Sequence, residues 1–300
     1  LGRVVDRFGK GLRSAPRDAL IAASVPPSAF GRAFGFHRAG DNLGAVIGPL
    51  LGLLALSMLN DNLRAALWWA VIPAAISALL VLLVHEPKRT STSPTNDESP
   101  PAHPAAKHSP LPKAFWRVTI VLVLISLVNF PDVLLLLRVM DLGFSTTQVV
   151  LAYVLFNLVN TLCAYPAGAM TDRWPRPYIY AVGLGAFAAG YLGLGLVDSG
   201  PGVFICIAVY GLFPAFTDGV GKAWISSLVT DEHRGRAQGV YQALTNGSIF
   251  IAGLWAGLMW TLGDGNGVIP LLLSGSVALI AALVMATARW WLRRPSTTAS

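Results

Sequence analysis

Four charged side chains stand inside stretches of the sequence that are otherwise almost entirely apolar. Asp218 and Lys222 are four residues apart, and Asp132 and Arg138 lie together in an earlier apolar stretch. Residues four apart on a helix face the same way, so Asp218 and Lys222 are predicted to form an ion pair. A carboxylate in an apolar setting, balanced by a nearby cation, is suited to binding and releasing a proton. These residues therefore indicate ion pairing and proton exchange.

A second set of charges recurs every three or four residues near the start of the chain, which places it on one face of a helix. Its members are Arg3, Asp6, Arg7, Lys10, Arg13 and Arg17. By hydropathy alone, this segment fits an amphipathic helix on a membrane surface as well as a spanning helix with a charged face. Neutral polar groups that include Gln242 and Asn246 follow in a later apolar stretch.

The elements that carry these residues are predicted to be membrane-spanning helices. Apolar residues make up 54% of the chain and charged residues 12%, whereas a soluble domain carries about 25% charged residues. A helix needs about 20 mostly apolar residues to cross a bilayer, and stretches of that length recur along the sequence. We predict eight spans: 39–59, 64–84, 115–140, 147–170, 178–197, 202–229, 236–262 and 268–291.

The distribution of basic residues predicts how these spans are oriented. The formal net charge is +7, which in a soluble protein would suggest a nucleic acid partner. Here fourteen Lys and Arg residues fall in one set of alternate connections and two, Arg64 and Arg138, in the other. Basic residues favour the cytoplasmic side, so the charge indicates topology and no nucleic acid partner. The prediction is a multi-pass protein of the plasma or inner membrane with a cytoplasmic C-terminus.

A segment rich in Pro, Ser, Thr and His separates two parts of the chain and is typical of a flexible linker. Its two central histidines have no neighbours in a metal-ligand pattern, so no metal site is predicted. The two cysteines, Cys163 and Cys206, lie in apolar spans and are interpreted as packing residues. The predicted division is 1–85, a cytoplasmic linker 86–113, 114–294 and a disordered tail 295–300.

An internal repeat relates the two parts at an offset of 204 residues. Gly31-Arg32-Ala33-Phe34-Gly35 corresponds to Gly235-Arg236-Ala237-Gln238-Gly239, and Asn42 corresponds to Asn246. Upstream, Ala19, Ile21 and Val25 correspond to Ala223, Ile225 and Val229. The repeat therefore aligns residues 1–25 with span 202–229, and favours a spanning helix over a surface helix for this segment.

Three motifs carry a resemblance to the major facilitator superfamily of transporters. They are Gly44-x-x-x-Gly48-Pro49-x-x-Gly52, Gly168-x-x-x-Asp172-Arg173-x-Pro175-Arg176 and Arg7-x-x-Lys10-Gly11. They resemble the family's fifth-helix antiporter motif, its loop motif and its fourth-helix motif, although Leu53, Pro175 and Lys10 depart from the usual residues. The resemblance implies an all-α polytopic bundle of two six-helix halves. About nine of the twelve helices, four to twelve, would be present, and the chain is interpreted as a fragment that lacks the first three.

The resemblance also implies roles for the motif residues. Gly44, Gly48, Pro49 and Gly52 would form a packing and gating face, since small residues let helices approach closely in a bilayer. Gly168, Asp172, Arg173 and Arg176 would form a latch in a cytoplasmic loop. The pathway for solute and protons would include Arg7, Lys10, Arg13, Arg17, Asp132, Arg138, Asp218, Lys222, Gln242 and Asn246. His37 is interpreted as a residue near the cytoplasmic surface.

The function implied is secondary active transport of a small solute, with protons as the coupling ion and efflux as the direction. The protein would act as a monomer in the lipid bilayer without a cofactor. A sensor or scaffold that kept the fold is an alternative, although it would have little reason to retain charges inside the membrane. A membrane-embedded enzyme is a further alternative, but neither His-Glu-x-x-His nor Gly-x-Ser-x-Gly occurs in the sequence. We therefore predict that the protein is not an enzyme.

Overall fold

The computed structural model describes residues 14, 16–60, 62–81, 110–198, 200–262 and 265–287, and helices dominate this part of the chain. Residues 16–23 form helix α1. The helices that follow are α2 (Phe30–Met58), α3 (Leu63–Val81), α4 (Lys113–Ser126), α5 (Asp132–Asp141), α6 (Thr146–Thr171), α7 (Arg176–Leu196), α8 (Gly200–Ser226), α9 (Arg234–Trp260) and α10 (Val268–Thr287). An all-α membrane fold is therefore confirmed.

Seven helical stretches of the described residues are long and apolar enough to cross a membrane. They are Pro27–Met58, Leu63–Leu80, Thr146–Thr171, Arg176–Leu196, Gly200–Ser226, Asp231–Trp260 and Val268–Thr287. Each of them overlaps one of the predicted spans. Many large apolar side chains on these helices are exposed, as expected of surfaces that face lipid.

The predicted span 115–140 differs from the structure, which has two helices there, α4 and α5, in place of one. The helices are separated by residues 127–131, which end in Pro131. Proline has no N–H to donate and disfavours helical geometry at the residue before it. Neighbouring helices bond the carbonyls that the break frees, since Trp255 Nε1 donates to Leu127 O (2.8 Å) and Tyr191 Oη to Phe130 O (3.4 Å). The hydropathy pattern gave no sign of this break.

By contacts the chain divides into two compact units. One unit comprises Leu1–Ile47 with Leu111–Ser300, and the other comprises Gly48–Pro110. In the second unit the described residues are the later part of α2, the turn after it and α3. The first unit contains the remaining helices and all the residues discussed below, apart from Gly48, Pro49 and Gly52.

An aromatic core holds the C-terminal helices of the first unit together. Phe187 stacks on Tyr191 with their ring centroids 3.9 Å apart, and Tyr191 lies 5.3 Å from Tyr210. All three side chains are buried. This core ties α7 to α8.

A smaller cluster joins the N-terminal helices to α8. Ala22 of α1, Phe30 and Phe34 of α2 and Ala223 of α8 are buried against one another. The described part of α1 thus packs among other helices and not on a surface. This cluster brings the charged residues of α1 and α2 next to those of α8.

Candidate functional site

A group of charged and polar side chains, most of them partly buried, lies where α1 and α2 meet α8 and α9, and we call it the polar core. Its members are Arg17, Asp18, His37, Arg38, Asp41, Asp218, Lys222 and Gln242. In the sequence these residues are spread over more than 200 positions. The repeat unit α1–α2 and its counterpart α8–α9 bring them together.

Asp18 is the most enclosed member of the polar core, with no exposed surface. Its carboxylate is 2.8 Å from Lys222 Nζ, accepts a hydrogen bond from Gln242 Nε2 (3.0 Å), and accepts another from Arg17 Nε (3.2 Å). A buried carboxylate needs such partners because its transfer out of water is otherwise very costly. Asp18 therefore links α1 to α8 and α9.

Asp218 and Lys222 do not pair with each other, so that prediction was wrong. Asp218 forms an ion pair with Arg38 of α2, while Lys222 pairs with Asp18 of α1. The spacing of four residues allows a pair on one helix, but each side chain finds an opposite charge on a facing helix. Both charges of α8 consequently hold that helix to α1 and α2.

Asp41 extends the polar core along α2. Its carboxylate is 3.4 Å from His37 Nε2 and 3.8 Å from Arg17 Nη1. The structure thus places His37 among the charges between the helices, and its interpretation as a residue near the cytoplasmic surface stays a prediction. Acidic and basic groups alternate through this part of the bundle.

A small cavity opens beside these side chains. It is lined by Phe34, His37, Arg38, Asp41, Asp218, Gly219 and Lys222. The cavity has room only for water-sized molecules in this conformation, and it brings water to the titratable groups that line it.

A second polar contact closes one end of the bundle, the end that the charge pattern assigns to the cytoplasm. The carboxylate of Asp172 accepts hydrogen bonds from the backbone N–H of Gly31 (2.8 Å) and of Arg32 (3.1 Å), and from Arg32 Nε (3.1 Å). A carboxylate at a helix N-terminus satisfies free N–H groups and complements the helix dipole. Asp172 thus caps α2 from the end of α6.

Three glycines make this contact possible. A Cβ atom at Gly35 would lie 2.6 Å from the carbonyl oxygen of Ala164, and one at Gly168 would lie 3.0 Å from Gly35 Cα and overlap Gly31. The backbones of α2 and α6 therefore touch directly at this end.

The two arginines of the predicted latch have other partners. Arg176 Nη1 donates to Ser227 Oγ (2.8 Å), and Arg173 donates through its backbone N–H to Met170 O (3.1 Å).

The glycine face predicted for close packing looks different. A Cβ atom added at Gly44 would have no described residue of the first unit within 4 Å. A Cβ atom added at Gly48 or Gly52 would have none of the second unit within 4 Å. Pro49 lies inside α2 beside them. Within each unit, the described residues therefore leave this face open, and its packing and gating role stays a prediction. The close approach occurs instead at Gly31 and Gly35, which the sequence marked only as part of the repeat.

Asp132, Arg138 and Asn246 do not contact the charges of the polar core. Tyr210 Oη donates to Asp132 Oδ1 (2.7 Å) beside the aromatic core. Arg138 is buried and donates to the carbonyls of Leu194 and Asn266, both at 3.2 Å. Asn246 Nδ2 donates to the carbonyl of Gln242 in its own helix (2.7 Å). Arg7, Lys10 and Arg13 lie outside the described residues.

Sequence reasoning missed Asp18. The charged stripe in residues 1–17 draws attention to every third or fourth position, and Asp18 lies one residue beyond it. The signal that could have identified Asp18 is the repeat, because an offset of 204 aligns it with Lys222. Two opposite charges at corresponding positions of a repeat are candidates for a contact between its copies.

The sequence model of the Major Facilitator Superfamily matches residues 1–140 and 128–300. Among curated relatives, an uncharacterized MFS-type transporter of Methanocaldococcus jannaschii is 27% identical over 87% of this chain and 66% of its own length. The class C tetracycline resistance protein of Escherichia coli is 27% identical over 87% of this chain and 69% of its own. The puromycin resistance protein of Streptomyces alboniger is 31% identical over 53% of this chain and 33% of its own.

This chain thus spans about two thirds of the length of the archaeal relative and less of some others. The family match covers both copies of the internal repeat and the segment between them. Together with the helical fold and its long apolar helices, it establishes that the chain belongs to the Major Facilitator Superfamily of membrane transporters.

Proposed function

We propose that the complete protein is a secondary active transporter that exports a small solute in exchange for protons. The observation that carries the proposal is the polar core, where ion pairs between partly buried charges and the fully buried Asp18 join α1 and α2 to α8. Ionisable groups inside a membrane are costly and mark functional sites by default. Family members move one half against the other around such a central site.

The acidic groups proposed for proton exchange are Asp218 and Asp132, with Asp218 preferred because it lines the cavity. Arg17, Lys222 and Gln242 would contact the solute or its counter-charges once the cavity widens. The proposed orientation has the C-terminus in the cytoplasm of the cell, and Gly168, Asp172, Arg173 and Arg176 form the cytoplasmic latch. The transporter would need neither a cofactor nor a partner protein, and it would not act as an enzyme.

Two relatives suggest which solutes to test first. They are named for resistance to tetracycline and to puromycin, and both names favour export of amphipathic organic molecules. The glycine motif of α2, which resembles that of antiporters, supports the same direction. The alternative is a sensor with the transporter fold, which would bind such a solute without moving it.

The test is uptake of tetracycline or puromycin into proteoliposomes that contain full-length protein, with and without an imposed pH gradient. Gradient-driven uptake is expected for the wild type, and a small fraction of that rate for Asp218→Asn. Glu232→Gln is the matched control, because the Glu232 carboxylate is exposed and lies outside the polar core. Binding of the solute without uptake under any gradient would favour the sensor.

A double variant separates proton exchange from a structural role. Arg38→Met with Asp218→Asn removes both charges of the ion pair, so no unpaired charge is left behind. If Asp218 exchanges the proton, this variant inserts normally but stays uncoupled from the pH gradient. If it regains full gradient-driven uptake, Asp218 is not the proton site and Asp132 becomes the candidate.

A further inference from the structure

Two contacts in the structure join a residue to its own counterpart in the internal repeat. Asp18 and Lys222 are separated by the repeat offset of 204 residues and form an ion pair at 2.8 Å. Phe30 and Arg234 have the same separation, and the Arg234 guanidinium lies over the Phe30 ring, 4.8 Å from its centroid. A residue can touch its symmetry-related counterpart only near the axis that relates the two copies. Both contacts therefore mark the pseudo-two-fold axis.

The surroundings of Asp18 and Lys222 are also built from corresponding residues. Gln242, which donates to Asp18, corresponds to Arg38. Arg38 lies beside the cavity with Lys222 and binds Asp218, one turn before Lys222. Asp18 and Lys222 thus occupy matching sites on the two copies. The copies differ there in the sign of the charge.

Charged and polar groups of α1, α2, α8 and α9 surround Asp18. Lys222 of α8 and Gln242 of α9 contact it directly, and so does Arg17 of its own helix. Asp41 and His37 of α2 follow beyond Arg17, and Asp218 with its partner Arg38 lies one turn from Lys222. Asp18 has no exposed surface, while Lys222 lines the cavity, so water in the cavity reaches the Lys222 side of the pair.

We propose that Asp18 is the carboxylate that couples proton binding to separation of the two halves on their axis. The proposal rests on the transport function proposed above. It adds to the proton exchange proposed for Asp218 a second protonation, that of Asp18, which acts on the contact between the halves. A proton from water in the cavity binds a carboxylate oxygen of Asp18 and removes its negative charge. Lys222 then loses its counter-charge across the axis, and the halves part at the latch end. Release of the proton to water restores the pair.

A distance measured across the axis tests this without any knowledge of the solute. Ser28 and Glu232 precede α2 and α9, are exposed, and are themselves repeat counterparts. Spin labels at Ser28→Cys and Glu232→Cys, with Cys163 and Cys206 replaced by Ser, report the separation of the halves at that end. In full-length protein in nanodiscs, the label distance should increase as the pH falls.

Variants at the pair give the decisive comparison. Asp18→Asn and the double variant Asp18→Asn with Lys222→Gln should lose the pH-dependent change, and the double variant leaves no buried charge unpaired. The charge swap, Asp18→Lys with Lys222→Asp, should regain it when Arg17 is also replaced by Gly, the residue at the corresponding position 221, so that no cation of α1 faces the introduced lysine. In the swap the carboxylate introduced on α8 would meet Arg38, and the Gln242 amide can turn its oxygen towards the ammonium group introduced on α1.

Several outcomes would overturn the inference. One is a full pH-dependent change in the label distance of the double neutral variant. Another is a folded charge-swap protein whose label distance does not change with pH. A parent protein whose label distance ignores pH would also reject it, even where gradient-driven uptake is present. If the parent protein responds to pH but transports neither test solute, the inference about Asp18 and Lys222 holds and the result counts against the proposed function.

Discussion

The first four turns of helix α2 contain two pairs of glycines with opposite surroundings. Gly31 and Gly35 press against α6 so closely that a Cβ atom would collide with its backbone. Gly40 and Gly44, a few residues later, face no described residue of their unit within 4 Å. Both pairs have the spacing of four that favours close helix packing in membranes. The difference is that only the first pair meets a glycine, Gly168, on the facing helix.

A stripe of small residues on one helix permits close helix packing but does not by itself produce it. A close crossing needs small residues on both helices at the same level. At Gly31 it also has a polar reason, because Asp172 caps the helix at the point where the backbones touch. The open pair, Gly40 and Gly44, flanks Asp41 of the polar core in the sequence.

The largest effect is expected from adding bulk at the tight pair. Gly35→Val places a branched Cβ atom 2.6 Å from the Ala164 carbonyl oxygen and 3.2 Å from Gly168 Cα, and backbone cannot yield as a flexible side chain would. Overpacking of this kind costs about 1–3 kcal/mol and often more where backbone must move. The expected result is a strongly lowered melting temperature and low recovery of folded protein from membranes. Gly44→Val, at the open pair, should lose much less, and equal losses would refute the contrast.

An intermediate effect is expected from the cap that accompanies the tight pair. Asp172→Ala removes an acceptor shared by two backbone N–H groups and the Arg32 side chain. Loss of an N-terminal cap costs about 0.5–2 kcal/mol. The halves should also part more readily at this end, which a longer distance between labels at positions 28 and 232 would show. Asp172→Asn should retain part of the effect of the native residue, because its amide oxygen still accepts hydrogen bonds. An unchanged distance in Asp172→Ala would contradict the latch.

The sequence predicted the helices well because their signal is local. About 20 apolar residues in a row are enough to indicate a span, and seven of the predicted spans have a matching helix. The break before Asp132 was missed, although Pro131 stood in the middle of the stretch. A single proline does not decide between a bend and a break, because that depends on whether other helices can bond the free carbonyls. Here Trp255 and Tyr191 do so.

The site was predicted only in part, because its contacts join distant residues. Asp218 and Lys222 were correctly singled out as charges in an apolar helix, but their partners could not be read from spacing. Helical periodicity identifies neighbours on one helix, whereas Arg38 and Asp18 face α8 from others. Asp18 itself has no local feature that separates it from the charges before it. The repeat offset is the one sequence feature that relates it to Lys222.

The smallest effect, and the sharpest test of the contrast, is expected from Gly44→Ala. In the interior of a helix, replacing glycine by alanine stabilises by about 1 kcal/mol, because glycine loses more backbone entropy on folding. That gain appears only if the added methyl group meets nothing, as the surroundings of Gly44 indicate. The full-length protein with Gly44→Ala should therefore melt at the same temperature as the wild type or slightly above it. The same change at Gly35 is the matched control and should lower the melting temperature, because its methyl group would lie 2.6 Å from a carbonyl oxygen. If Gly44→Ala instead lowers the melting temperature as Gly35→Ala does, a helix from elsewhere in the full-length protein packs on Gly44. The glycine motif would then have the packing role that its spacing predicts.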